Sequence, residues 1–149
     1  MHREPDDLDR LVARVWKQLA LGTERTMAQD VAFGFRQLID MIEKALSPSV
    51  NDPTTACQSL DALHDLLRRL ATRAPAPEAV CGPDGTVRLL IPRYQFADLL
   101  DITVRETCQY GSDAAQVPDR IARMLADLAD AARPEHQAAV ERWMSVVSQ

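Results

Sequence analysis

Two neighbouring stretches hold many of the chain's polar and ionisable groups at spacings that would let them act together. The first runs from Arg25 and Thr26 through Gln29, Asp30, Arg36 and Gln37 to Asp40. On a helix, Gln29, Arg36 and Asp40 share a face, with Arg36 and Asp40 as an i,i+4 pair and Asp30 and Gln37 beside them at i,i+7. The second is "SPSVNDPTT", where Ser47, Asn51, Asp52, Thr54 and Thr55 bring hydroxyl, amide and carboxylate groups into one turn. Such a set could line a polar groove for a small anion or a metal. It could equally be a hydrogen-bond network that fixes a helix hairpin, or a solvated face contributing a few tenths of a kcal/mol per pair. The network is the expected reading, and the small-ligand groove is its alternative.

Other chemistry is sparse. His2, His64 and His136 are scattered, and Cys57 and His64 are seven apart on one predicted helix. Two ligands fall short of the three or four that zinc needs, so no metal and no cofactor are expected. Asp98, Asp101, Glu106, Asp127 and Asp130 are expected on exposed helix faces, where they form no carboxylate pair suited to acid–base catalysis. "CGPDG" is turn chemistry, not a phosphate cradle. Catalysis is therefore not expected. Cys57, Cys81 and Cys108 are odd in number, widely spaced and without a CxxC, the pattern of reduced thiols in a cytosolic protein.

The elements that must position these groups are mostly helical. At 149 residues, 46% hydrophobic and 26% charged, the chain can bury a core without staples. Aromatics are only 5% and there are five glycines, which favours an aliphatic helical core over sheet and turn. The net charge of −5 gives no basic footprint for nucleic acid. Arg68, Arg69 and Arg73 cluster where a helix should end, as the helix dipole prefers. "MHREPDDLDR" has no apolar core for a secretory signal, and no run approaches the roughly 18 apolar residues of a membrane span, so a soluble chain is expected.

Leu8, Leu11, Val12, Val15, Trp16 and Leu19 form a helical stripe that Gly22 closes, with Trp16 expected as a core anchor. A second helix is predicted over 26–46, with Val31, Phe35, Leu38, Ile42 and Leu46 inward. Gly34 in its middle costs about 1 kcal/mol against Ala and predicts a tight crossing with another backbone. Asp52-Pro53 reads as an N-cap followed by a first-turn proline. The third helix then runs over 53–73 on Ala56, Leu60, Leu63, Leu67 and Leu70, joined to the second as a hairpin. "APAPEA" is a stiff linker, and Pro83-Asp84-Gly85 before "TVRLLIP" predicts a β-hairpin. Three further helices are predicted over 94–110, 118–132 and from Pro134 onward, with Ile121, Leu125 and Leu128 buried in the fifth.

Residues 24–63 resemble the C-terminal soluble region of the bacterial membrane protein family catalogued as domain of unknown function 2254. The resemblance rests on Arg25-Thr26, Gln29-Asp30, Phe33-Gly34, Arg36-Gln37-Leu38 and Asp40, then Ala45-Leu46-Ser47-Pro48 and Asn51-Asp52-Pro53-Thr54-Thr55-Ala56. "GTVRLLIP" and "CQYG" resemble its weaker downstream pattern. It implies several membrane-spanning helices upstream in family members, so this chain is an excised domain, a truncated relative or a free-standing version. It implies a location and no reaction.

The expected fold is mainly α: about six helices with one small two-stranded β-hairpin near residues 79–92. A single domain 1–149 is expected, with a Pro-rich linker at 74–79 between the first three helices and the rest. The expected function is a non-catalytic helical interaction or regulatory module; the alternative is an anion-binding or sensing domain using the polar corner. The expected partner is a second copy or a membrane protein, with no nucleic acid. The expected location is cytoplasmic, at the inner membrane face through a partner or an upstream segment.

Overall fold

The computed structural model describes residues 8–17, 27 and 30–148. Arg25, Thr26 and Gln29, and the predicted close of the first helix at Gly22, lie outside the described residues. Six helices and one hairpin follow in order: α1 (Leu8–Trp16), α2 (Val31–Leu46), α3 (Pro53–Ala71), β1 (Ala79–Cys81), β2 (Val87–Leu90), α4 (Phe96–Gly111), α5 (Gln116–Ala131) and α6 (Pro134–Val147). The fold is mainly α, with a small antiparallel sheet, as the periodicity predicts.

Helices α2 to α6 share one aliphatic core. Helix α3 packs against α2 and α5, α4 packs against α2 and α6, and α5 against α6. Its fully buried members include Phe35, Ile39, Leu63, Leu67, Leu100, Ile121, Met124 and Leu128. On α3 the predicted stripe holds: Ala56, Leu60, Leu63 and Leu67 are buried, and Leu70 packs partly against the core. On α2 the buried stripe is Ala32, Phe35, Ile39, Ile42 and Ala45. Leu38 and Leu46 are only partly buried, and Val31 is exposed, so the small residues Ala32 and Ala45 take inward places that the sequence reading gave to larger neighbours. Helix α2 also begins later than predicted. Asp30 is extended and accepts the Phe33 N–H at 3.2 Å, which sets the N-cap.

Two other expectations fail for a physical reason. Trp16 is no core anchor: it is 65% exposed, and α1 buries none of its residues. Among the described residues, Gly34 marks no backbone crossing, since an added Cβ would meet only the Met27 side chain, at ordinary contact distance. The close approach occurs at Gly111 instead, where a Cβ would collide with Val117 across the α4–α5 corner.

The hairpin pairs Ala79 with Leu90, Val80 with Leu89 and Cys81 with Val87, with a register shift after Val80. Gly85 turns it at φ 75°, a left-handed conformation that glycine adopts without strain. Asp84 accepts the Thr86 N–H at 3.1 Å and pairs with Arg88 at 3.0 Å. Near the hairpin, the start of α6 is tied to the end of α3. The Arg133 N–H donates to the Ala71 carbonyl at 3.0 Å. The buried His136 ring lies 3.0 Å from the Arg73 carbonyl and packs on Phe96 with centroids 4.7 Å apart.

Candidate functional site

In the turn between α2 and α3, the side chains of Ser47 and Asp52 satisfy backbone groups that two helix ends leave exposed. The Ser47 hydroxyl donates to the Lys44 carbonyl at 2.7 Å. Asn51 has φ 49°, a left-handed conformation that asparagine tolerates better than most residues, and its N–H donates to the Ser47 carbonyl at 2.9 Å. That reversal brings the Asp52 N–H to the Ala45 carbonyl at 2.7 Å. The Asp52 carboxylate then caps α3, accepting from the Thr55 N–H at 3.1 Å and the Thr55 hydroxyl at 2.5 Å. Those bonds, the hydroxyl's first, hold the Asp52 carboxyl below its ordinary range. Pro53 occupies the first turn, where its missing N–H leaves no gap. Thr54 is exposed beside it.

The polar face of α2 is arranged differently from its sequence spacing. Arg36 reaches across to α4 and donates to Glu106, making an ion pair with side-chain exposures of 43% and 22%. Asp40, its i,i+4 neighbour, is exposed and acts on Arg36 only through its charge. Gln37 is exposed as well. Hydrogen bonding to Glu106 raises the Arg36 pKa. Glu43, one turn beyond Asp40, is pushed up chiefly by burial and then by the nearby Glu106 and Asp40 charges.

The described members of the sequence-predicted set therefore fall into three places. Asp30 is at the start of α2. Arg36, Gln37 and Asp40 lie along its middle. Ser47, Asn51, Asp52, Thr54 and Thr55 are at its far end. The 16 residues of α2 separate the first place from the last by about 24 Å.

Sequence reasoning placed Asp101, Glu106 and Asp127 on exposed faces, and the structure corrects all three: the Asp101 side chain is 23% exposed and accepts from Arg105 and Arg142. Glu106 is mostly buried against Arg36. Its signal was present: Leu99, Thr103 and Glu106 recur at i, i+4 and i+7, and the first two are buried. Asp127 holds α5 to α3, lying 2.8 Å from the His64 ring and accepting from Arg68 at 2.9 Å. Arg69 pairs with Asp65 at 2.9 Å, and Arg120 of α5 pairs with Asp61 of α3. Among the described residues, no group of three or more His, Cys, Asp or Glu side chains is placed to hold a metal ion, and no helix is long and apolar enough to cross a membrane.

With this geometry in view, comparison with known proteins gives a consistent result. A family model described as "Predicted membrane protein (DUF2254)" matches residues 1–127. The relatives include "Uncharacterized protein Rv1290c" of Mycobacterium tuberculosis and "Uncharacterized protein Mb1321c" of Mycobacterium bovis. Each is 31% identical over 135 residues, covering 90% of this chain and 26% of the relative. The chain thus spans about a quarter of the length of these curated relatives. No solved structure matches.

Proposed function

This chain belongs to the DUF2254 family of predicted membrane proteins, and from that membership we propose that it is a non-catalytic helical interaction module whose partner is a second copy of itself, held at the cytoplasmic face of the membrane. The observation that carries this reading is α1. Leu8, Leu11, Val12, Val15 and Trp16 fall on one side of the helix and are 43–65% exposed, while Arg10, Arg14 and Lys17 occupy the other side. An amphipathic helix with an uncovered stripe has its favourable burial still to make. Two copies related by a twofold axis would cover each other's stripes without requiring another surface. The small-ligand alternative draws less support. Its residues divide between the two ends and the middle of α2, and Asp30 and Asp52 each cap a helix.

Light scattering of the purified chain across micromolar concentrations tests the proposal. Association in the parent, abolished by Leu11→Lys with Val15→Lys while the circular dichroism spectrum is unchanged, is the expected result. A clean monomer at high micromolar concentration overturns it.

A further inference from the structure

The β-hairpin stands apart from the helical core. Its strands pair with each other, and neither packs substantially on a helix. Val80, Val87, Leu89 and Leu90 are 47–69% exposed, and Cys81 is exposed with them. Leu89 pairs with Val80 on one face, and Leu90, the next residue along, belongs to the other, so both faces of the sheet carry uncovered apolar side chains. A two-stranded hairpin is marginal in water unless something covers it. The hairpin lies within the segment matched by the membrane-protein family.

Area, shape and charge argue for one kind of cover. Side chains of this number and size expose on the order of a few hundred Å², short of the roughly 800 Å² per partner of a stable protein interface. A protein surface laid on the hairpin would cover one face, whereas fluid acyl chains can close around both. The chain's net charge is −5, but an exposed arginine flanks the hairpin on either side, Arg73 before it and Arg93 after it. Among the described residues, neither has an acidic partner within ion-pair distance. The two acids of this region are engaged: Asp84 pairs with Arg88, and Glu78 accepts from Gln95. Tyr94, beside Arg93, is 58% exposed, and such amphipathic rings collect where lipid meets water.

We infer that the hairpin contacts an anionic lipid bilayer, its valines and leucines at the acyl boundary and the Arg73 and Arg93 guanidiniums on headgroup phosphates. Arginine stems lie along apolar surface while their heads stay with the phosphates, and each basic group near such a surface adds to binding. This rests on the membrane placement proposed above and not on self-association, since it leaves α1 free for a second copy.

Vesicles of phosphatidylglycerol and phosphatidylcholine in equal parts are the probe, with phosphatidylcholine alone as the control without net charge. The full chain should float with the first and far less with the second. A fluorophore on Cys81, the exposed one of the three thiols, should shift to the blue on the charged vesicles. Leu89→Asp should weaken binding at least about tenfold, and Arg93→Gln about fivefold. Both leave the helical circular dichroism unchanged, because the hairpin lies outside the core. Leu11→Gln with Val15→Gln, which removes the α1 stripe without adding charge, should still bind and still shift the Cys81 label. A parent that binds as a monomer would therefore overturn self-association alone. Four results would overturn the inference: no binding to the charged vesicles; equal binding by the parent and Leu89→Asp; equal binding with and without phosphatidylglycerol; or binding lost with the α1 stripe.

Discussion

Asp52, Arg36 and Glu43 differ in how much of their role the sequence revealed. Asp52 was legible because a cap is local: an Asp followed by a first-turn proline states its own geometry, and the carboxylate does accept from Thr55. Asp52→Ala should lower the denaturation midpoint, while Asp52→Asn, which keeps a side-chain acceptor, should lose much less. Because the native pKa of Asp52 lies below its unfolded value, its contribution is present above the ordinary carboxylate range and is lost as pH falls through the native value. The parent should therefore lose more stability than Asp52→Asn in that acid window, as equilibrium denaturation would show. Arg36 was not legible, because its partner is 70 residues away on α4. With both side chains partly exposed, a double-mutant cycle of Arg36→Ala and Glu106→Gln should give a coupling of about 1 kcal/mol or less. Glu43 has the opposite sign to Asp52. Its raised native pKa makes a contribution that is full below the unfolded value, about 4.3, and is lost as pH rises through the native one. Glu43→Gln should consequently be more stable than the parent at neutral pH, by an amount that shrinks as the pH is lowered toward 4.

At the scale of elements, helix periodicity located the six helices and turn chemistry the hairpin, because each apolar stripe and the turn signal lie within their own segments. It did not decide which helix meets which, and the two mid-chain glycines illustrate why. Gly34 lies within α2, but its neighbour is a flexible Met27 side chain. Gly111 ends α4 and looks like an ordinary helix stop, but it faces Val117, which is 1% exposed. A glycine's letter is the same in both places, and only the tertiary neighbour tells them apart. Gly34→Ala should therefore stabilise the chain by about 0.5–1 kcal/mol, the usual gain from replacing glycine inside a helix. Gly111→Ala should destabilise it by about 1–3 kcal/mol, because Val117 must move within a packed corner. Urea denaturation of the two variants checks both signs. Destabilisation by Gly34→Ala would mean that α2 is more closely approached than its Met27 contact indicates.

For the whole molecule, the decisive contrast is between a core shared by α2 to α6 and a helix outside it. The stripe of α1 obeys the same periodicity as that of α3, and a sequence reading has no ground to separate them. Periodicity reports that a face is apolar, not whether anything covers it. Here Leu63 and Leu67 of α3 are fully buried, while Leu11 and Val15 of α1 are 44% and 51% exposed. Stability should follow burial. A chain beginning at Gln18 lacks α1 but keeps every core residue that is buried among those described, so its melting temperature at low concentration should match the parent's within a few degrees. If a second copy covers the stripe, the parent's melting temperature should rise with concentration, because association stabilises the folded state by mass action. The truncated chain should show no such rise. Differential scanning calorimetry at several concentrations separates the outcomes. A truncated chain that melts far below the parent at every concentration would place α1 within the cooperative core. Concentration-independent melting of the parent would leave the stripe without a second copy to cover it.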